Sequence, residues 1–399
     1  MLSPEDLLHL AEGAEDIAEK LHIDIIRRIV RRMMARLGRG EEYLLTAVDK
    51  WQIQTLQDAG FLLEEIQQDI AKATKLQQQE IAEAMEDAGV KAMAYEEEKY
   101  KRVGLYPKPL DESPHLIRIM QRNYEDTMKE WENFTRTIAY SSQQFFISEM
   151  DTAYSLVTSG ALSYTQAFRE VLYHVNESVK IKYPSGHQDT LETASLRALR
   201  TGVSQATAQI QIARMEEFGQ NRVITSSHMG ARPEHQKWQG KIFTLEELRS
   251  TDPGMPAYGT VTGICGANCR HNFSVYFEGD KNPFEDYDSE ENKKKYEEEQ
   301  RQRELERRIR RTKVDVMSAK TAVDASKDDY AKKIADEAYQ KKAALLSKQT
   351  KEYNDYCAEK NLRPLQERLE VARWTRKQAA AARGAAQRYK NRKEKENGG

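Results

Sequence analysis

Helix-breaking residues are scarce in this sequence. Its 399 residues include only 10 prolines and 20 glycines, whereas 32% of the residues are charged. Proline and glycine oppose α-helix formation most strongly, so a charged chain that is poor in both favours long, uninterrupted helices. Because only 39% of the residues are hydrophobic, much of the helical surface must face water. We therefore expect a mainly α protein.

The periodicity of apolar residues predicts where the first helix lies. Ser3 is a suitable N-cap and Pro4 suits the first helical position, so a helix is expected to begin there. Apolar residues then recur at four-residue steps from residue 21 to residue 37. Gly38 and Gly40 follow and are expected to end the pattern.

Two further helical regions are expected before residue 160. One runs from Glu41 to about Arg102, with interruptions near Gly60 and Gly89. Three prolines in the stretch "GLYPKPLDESP" forbid a helix there and indicate a linker. The next helical block, from about residue 115 to residue 159, carries several large aromatic residues that can anchor its packing.

Strand and turn signals concentrate between residues 178 and 280. Ser163 is expected to cap a short helix before this region. Alternating apolar residues in "SVKIKYPSG" predict a first strand, and the composition of "RVITSS" and "FSVYFEG" indicates two further strands, with a helix from about Thr190 to Phe218 between the first two. The sequence thus predicts one small α+β module within a helical protein.

After residue 281 the composition changes to mixed acidic and basic residues with few large apolar ones. This pattern predicts extended, solvated helices or a coiled coil, whose apolar positions are too sparse for an independent core and suit packing against a partner. The basic stretch "RYKNRKEKENGG" is expected to fray. These patterns divide the chain into an N-terminal helical region (1–106), a linker (107–114), a helical region (115–177), the α+β module (178–280) and a charged helical C-terminal region with a basic tail (281–399).

Charge and motif content exclude several classes of protein. The chain has 62 basic and 64 acidic residues, and its net charge of -2 argues against a general nucleic-acid binder. The sequence has no apolar run of about eighteen residues, no secretory signal pattern and no phosphate-binding glycine motif. Three cysteines without a disulfide framework fit a reducing compartment. We expect a protein without a membrane segment that is synthesised in the cytoplasm.

The stretch "ICGANCRHNF" places Cys265 and Cys269 four residues apart, with His271 two residues later. Together with His228 and His235 upstream, these side chains offer the nitrogen and sulfur ligands that zinc prefers. The C-x3-C spacing differs from the C-x2-C pairs of common structural zinc sites, and the sequence has no second pair. Zinc binding is one of three interpretations.

The second interpretation is a cysteine nucleophile, because Arg270 and His271 beside Cys269 would favour its thiolate. Neighbouring residues on an extended chain point to opposite sides, which argues against such a site. The third interpretation is a tight, buried loop, in which the cysteines pack as small apolar residues while Gly266 and Asn268 form the turn. The sequence favours the buried loop and leaves the other two open.

An upstream motif, "SSHMGARPEHQKWQGKIF", predicts a packed structural turn. Gly230 permits an unusual backbone angle there, and Pro233 is expected to open a short helix. His235 and Trp238 are three residues apart and would share one face of that helix.

The two motifs, preceded by "LETASLRALRTGVSQAT", resemble the phage minor capsid protein 2 family, a relative of the Mu-type head morphogenesis proteins. In that family a histidine precedes G-A-R-P, and W-Q-G-K, Y-G and C-G-x-N-C-R-H follow. The resemblance includes "YCAEKNLRPLQERLEVARW" and covers roughly residues 150–380. The matching positions of the motif are His228, Gly230, Arg232, Pro233, His235, Trp238, Gln239, Gly240, Tyr258, Gly259, Cys265, Gly266, Asn268, Cys269, Arg270 and His271.

The resemblance implies a minor structural protein of a tailed-phage head, made in the host bacterial cytoplasm and present in the virion in several copies. It implies that the protein acts with the portal and other head proteins at the portal vertex or in the head interior, during capsid assembly or DNA packaging. It implies no catalytic residues and no cofactor. The alternative that remains is a virion-associated hydrolase that depends on zinc or cysteine, and the basic C-terminal tail suits contact with packaged DNA.

Overall fold

The computed structural model describes residue 6, residues 9–45 and residues 47–397. It confirms a mainly α fold with small antiparallel sheets. The helix start expected at Ser3 and Pro4 lies outside the described residues. The elements are α1 (Glu12–Leu37), α2 (Glu41–Leu44), α3 (Val48–Arg102), α4 (Pro114–Thr158), α5 (Tyr164–Ser178), β1 (Ile181–Lys182), β2 (Gln188–Asp189), α6 (Leu191–Glu217), β3 (Arg222–Thr225), α7 (Pro233–Gln236), β4 (Ile242–Thr244), α8 (Leu245–Arg249), β5 (Phe273–Val275), α9 (Ser289–Ala325), α10 (Asp329–Glu359), a 3-10 turn (Gln366–Leu369) and α11 (Arg376–Asn397).

The chain forms two compact units, each built from separate stretches of sequence. The first unit comprises the described residues of Met1–Ile17, Thr74–Phe134 and Glu192–Gln300. The second unit comprises the described residues of Ala18–Ala73, Thr135–Leu191 and Arg301–Gly399. The boundaries between these stretches fall inside long helices, so the domain limits expected from composition stay a prediction.

The first unit contains a three-stranded antiparallel sheet in the order β4-β3-β5. Val223 at its centre pairs with Phe243 on one side and Val275 on the other. Ile212 and Met215 of α6 pack against these residues in one buried cluster. The sequence predicted β3 and β5, whereas it missed β4 and the short helix α8, whose Thr244 and Glu247 form a capping box.

In the second unit, three arginines on α1 pair with three acidic residues on α3. Arg28 donates to Asp69 at 2.5 Å, Arg32 to Glu65 at 3.0 Å and Arg36 to Asp58 at 2.9 Å, so the partners follow one another in reverse order. This order aligns the two helices antiparallel. Arg36 is buried, and it also donates to the Trp51 carbonyl and the Thr55 hydroxyl, which satisfies a guanidinium that would be costly to bury without partners.

The C-terminal helices of the second unit have a core of their own, contrary to the expectation that a partner chain must cover them. Residues of α9, α10 and α11 form one buried cluster that includes Leu305, Ile309, Tyr339, Tyr353 and Ala385. Alanines on α11 leave room for close helix packing, so a thin apolar stripe is enough. The Tyr353 hydroxyl also accepts from the Leu365 backbone N–H at 2.8 Å.

The basic stretch that is expected to fray is mostly helical in the described residues. Helix α11 continues through Asn397, which includes most of the basic stretch. Basic and acidic side chains one turn apart lie within ion-pair distance there, at 3.8 Å for Lys390 and Glu394 and 4.0 Å for Arg392 and Glu396. Such pairs stabilise exposed helices by a few tenths of a kcal/mol, roughly 0.3–0.5 each.

Helix α3 runs without a break for 55 residues, so the interruptions expected at Gly60 and Gly89 are wrong. A single glycine inside a helix costs only about 1 kcal/mol, and helix-forming residues flank both positions. Burial of residues such as Leu62 and Ile66 in α3 outweighs that cost. Among the described residues, no helix is long and apolar enough to cross a membrane.

Alanine at the two glycines of α3 should change the stability of the protein by different amounts. A Cβ at Gly60 would meet nothing within 4 Å, so Gly60→Ala should raise the free energy of unfolding by about 1 kcal/mol. A Cβ at Gly89 would lie 3.1 Å from Leu110 and Met120, so Gly89→Ala should gain less or lose stability. Urea unfolding followed by circular dichroism measures both. An equal gain for the two variants would contradict the prediction.

Glu96 makes the stability of the first unit depend on pH. Its buried carboxylate accepts from the Val275 backbone N–H at 3.2 Å and from Gln211 at 3.4 Å. Burial raises its pKa to about 7, although the charge of Lys99 opposes the shift. A carboxyl group whose pKa is higher when folded stabilises the fold at low pH, and that contribution is lost as the pH rises from about 4.5 to about 7.

Glu96→Gln should therefore flatten the dependence of unfolding free energy on pH between about 4.5 and 7. The glutamine keeps an oxygen that can accept from the Val275 N–H, but it does not ionise. Denaturant midpoints measured across this interval test the slope. Glu98→Gln is the control, because Glu98 is exposed on the same helix. Equal slopes for wild type and Glu96→Gln would refute the role of this carboxyl group.

Candidate functional site: a buried cluster of histidines and a cysteine

The turn before α7 has its backbone held by a side chain from a distant helix. Gly230 has a φ of 76°, a conformation that glycine adopts without strain. Pro233 then opens α7, as the sequence predicts. Asn292 of α9 accepts from the Ala231 N–H at 3.0 Å and donates to the Ala231 carbonyl at 2.9 Å. Composition predicted that the charged run after residue 288 is a solvated helix. The buried side chain of Asn292 shows that this run also makes interior contacts.

Residues 250–272 form a segment without helix or strand that carries the second motif. Its turns are tight: Cys265 and Asn268 have φ of 59° and 56°, which non-glycine residues rarely adopt. A Cβ at Gly266 would lie 2.6 Å from the carbonyl oxygens of Thr260 and Val261. Only glycine fits at that position, so the motif's glycine is required by the close approach of the backbone.

Three side chains from these two segments converge in the interior of the first unit. The Nδ1 atoms of His235 and His271 are 3.3 Å apart. The Cys269 Sγ lies 3.7 Å from His271 Nδ1 and 3.9 Å from His235 Nδ1. The exposed fractions are 3% for His235, 7% for Cys269 and 1% for His271. We call these three residues the His–Cys cluster.

Hydrogen bonds hold the outer nitrogens of both histidines. His235 Nε2 lies 2.9 Å from the Thr262 carbonyl oxygen, and His271 Nε2 lies 3.1 Å from Gln239 Oε1. The His271 backbone N–H donates to the Cys269 Sγ at 3.4 Å. These contacts fix the orientation of each ring and aim both Nδ1 atoms at the sulfur.

Aromatic rings surround the cluster. Trp238 packs against both histidines, with ring centroids 4.6 Å from His235 and 4.8 Å from His271. His228 stacks on His271 with centroids 4.3 Å apart and planes at 26°. This packing excludes bulk water from the imidazole rings. Histidines that are ordinary polar surface residues are seldom enclosed in this way.

The electrostatics of the cluster oppose a nucleophilic role for cysteine. Burial raises the pKa of the Cys265 and Cys269 thiols, so both favour the protonated form. Burial also lowers the pKa of His235, and it lowers that of His271 well below the usual value, with His228 and the nearby arginines adding to the effect. A buried, protonated thiol without access for a substrate is a weak nucleophile.

The structure brings only part of the proposed zinc ligand set together. His235, Cys269 and His271 meet, whereas the Cys265 Sγ points to Asn272 Oδ1 at 3.5 Å and His228 Nδ1 lies 3.1 Å from the Met229 carbonyl. The remaining motif residues support the loop: Arg232 donates to the Ala267 carbonyl, Arg270 donates to the Gly230 carbonyl, the Tyr258 ring contacts Phe273, and Gly240 and Gly259 have positive φ.

Several residues of the site carry no signal in the sequence. Gln236 donates to the Tyr287 carbonyl at 2.8 Å and accepts from Gln239 at 2.7 Å, and Thr262 contributes only its carbonyl. Asn292 lies 61 residues from its partner Ala231. Polar residues of these types are common on solvated helices and loops, so only the tertiary contacts reveal their role.

Comparison with known proteins gives two matches. The sequence profile of the family described as phage minor capsid protein 2 matches residues 2–358. A structural protein of Lactococcus phage LL-H is 22% identical over 252 residues, which is 58% of this chain and 66% of that protein. The chain thus spans just under two thirds of the length of the relative. No solved structure matches the chain.

The matched range corrects the extent expected from the motifs. It includes the N-terminal helices, which the motifs left out, and it ends at residue 358 rather than near residue 380. Most of the stretch "YCAEKNLRPLQERLEVARW" therefore lies beyond the match.

Burial predicts that the thiols do not react in the folded protein. Cys265, Cys269 and Cys357 are all free and buried, so an excess of a thiol reagent should modify none of them quickly. After unfolding, the reagent should titrate three thiols in the wild type and two in Cys269→Ser. A native thiol that reacts rapidly and is lost in Cys269→Ser would reinstate the nucleophile hypothesis.

Proposed function

The chain belongs to the phage minor capsid protein 2 family and is therefore a minor structural protein of a phage capsid, and we propose that it acts at the portal vertex or in the head interior of a tailed phage. In this role it assists capsid assembly or DNA packaging, with several copies per particle. The observation that carries the proposal is the family match over residues 2–358, supported by the relative described as a phage structural protein.

An exposed apolar patch supports contact with other head proteins. Leu45, Val48, Ile53, Leu56 and Phe61, at the start of α3 and just before it, are each 50–60% exposed. Ile53 and Leu56 are three residues apart and so share a helix face. Neighbouring apolar side chains exposed on one helix face, as these two are, mark protein–protein interfaces. We propose that this patch contacts a neighbouring head protein, with the portal as the first candidate.

A structural role fits the His–Cys cluster better than hydrolysis does. The cluster is buried, its thiol favours the protonated form and its histidines are enclosed by aromatic rings. A hydrolase would need a nucleophile or an activated water that a substrate can reach. We therefore propose that the motif residues fix the fold of this segment and that the protein is not an enzyme.

Helix α11 is the candidate surface for contact with packaged DNA. Helix α11 contains eight lysines and arginines and two glutamates. Arg388 and Arg392 already lie 3.9 Å from Asp336 and Glu337 of α10, and Lys390 lies 3.8 Å from Glu394. These neighbours reduce the positive field of the helix, so any affinity for DNA should be modest and should fall steeply with salt.

The location in the head is tested with a phage whose genome encodes this chain. Mass spectrometry of purified particles should detect the chain at far lower copy number than the major capsid protein. The double variant Ile53→Asp/Leu56→Asp should be incorporated poorly, because charges on the patch oppose burial in an interface.

Leu76→Asp is the matched control, since Leu76 is 56% exposed on the same helix but lies outside the patch. Circular dichroism of the purified variants checks that both fold. Absence of the wild-type chain from purified heads would overturn the proposed location. Equal incorporation of both folded variants would overturn the role of the patch alone.

A further inference from the structure

The hydrogen-bond partner of His235 fixes which of its nitrogens carries hydrogen. Its Nε2 lies 2.9 Å from the Thr262 carbonyl oxygen, which can only accept. The hydrogen of the neutral ring is therefore on Nε2. Its Nδ1 then has a bare lone pair, which points into the His–Cys cluster.

A relay of two amides fixes the tautomer of His271 in the same way. Gln236 donates to the Tyr287 carbonyl, so its oxygen accepts from the Gln239 amide nitrogen at 2.7 Å. Gln239 Oε1 also accepts from the His228 backbone N–H at 3.1 Å. Backbone groups thus set the orientation of both amides, and His271 Nε2 must be the donor to Gln239.

Both Nδ1 lone pairs therefore face each other at 3.3 Å. The Cys269 thiol has one hydrogen and can satisfy only one of them, at the long distances of 3.7 and 3.9 Å. Two buried acceptors that face each other without a shared donor are unfavourable. A cation placed between the two Nδ1 atoms and the sulfur removes this repulsion, because both lone pairs then coordinate the cation.

The spacing of the three atoms matches a tetrahedral zinc site. With zinc bonds of about 2.0–2.1 Å to nitrogen and 2.3 Å to sulfur, a tetrahedral ion separates its ligands by about 3.3 Å for two nitrogens and about 3.6 Å for nitrogen and sulfur. The observed separations are 3.3, 3.7 and 3.9 Å. Two imidazoles and one thiolate in a buried site suit zinc by ligand type as well.

We propose that His235 Nδ1, His271 Nδ1 and the Cys269 thiolate bind a structural zinc ion that joins α7 to the segment 250–272. Binding releases the thiol proton to solvent as the zinc–sulfur bond forms. The hydrogen bonds from His235 to Thr262 and from His271 to Gln239 orient the ligands, as the outer partners of zinc-bound histidines do. This inference goes beyond the capsid role and does not depend on where the protein acts.

The fourth position is open to Cys265 or to water. Cys265 lies next to the cluster, although its Sγ points to Asn272 Oδ1 at 3.5 Å. A rotation about its Cα–Cβ bond would redirect the sulfur. Zinc X-ray absorption counts the sulfur ligands, so two sulfurs would assign Cys265 and one would leave a nitrogen or oxygen ligand such as water in the fourth position, while none would overturn the proposal.

Metal content of the full chain is the first test. After incubation with zinc and dialysis, elemental mass spectrometry should find one zinc per chain in wild type and in the control Cys357→Ser, whose cysteine lies in the other unit. Cys269→Ser and His271→Ala should hold none. A wild-type chain without zinc, or full zinc in either ligand variant, would refute the site.

A variant that keeps all ligands guards against loss of zinc through misfolding. Gln239→Leu leaves the three ligands in place and removes the acceptor of His271, together with the bonds of Gln239 to the His228 N–H and to Gln236, and it should weaken zinc affinity by about 10–100-fold in competition with a chelator. Cobalt substituted into wild type should give a thiolate-to-cobalt charge-transfer band, which vanishes in folded Cys269→Ser. An unchanged affinity in Gln239→Leu together with no such band in wild type would contradict the proposal.

Discussion

A long helix with a thin apolar stripe is stable in water only when another surface covers the stripe, and this constraint governs most of the structure. Helix α1 and the first part of α3 meet it by pairing antiparallel, with Arg28, Arg32 and Arg36 matched to acidic residues of α3. The C-terminal helices meet it with small residues, so that alanines of α11 lie in one buried cluster with Tyr339 and Leu346 of α10.

A different constraint acts on the residues of the two motifs. The segment 250–272 has no helix or strand to satisfy its backbone groups, so turns and side chains from other elements must do so. Arg232 and Gln205 donate to carbonyls of Ala267 and Cys265 in this segment, and Asn292 holds the turn before α7 in a similar way. Such contacts give the motif residues a structural role in this segment.

The three interpretations of the cysteine motif can now be weighed on physical grounds. Burial and tight turns agree with a packed loop, and the same burial disfavours a cysteine nucleophile. A packed loop alone gives no reason for two imidazole lone pairs to face a sulfur atom. A loop held by zinc accounts for both features, which makes the first and third interpretations compatible rather than exclusive.

The sequence by itself determined the helical class, the linker before α4, the Ser163 cap and the strands β3 and β5, because local periodicity, proline and capping act within a few residues. It also determined the family resemblance through its motifs. Only the tertiary structure decided that Gly60 and Gly89 leave α3 unbroken and that α9–α11 share a core. It alone selected His235, Cys269 and His271 from five candidate ligands, because side-chain direction depends on contacts with residues such as Thr262 and Gln239 that the sequence does not reveal.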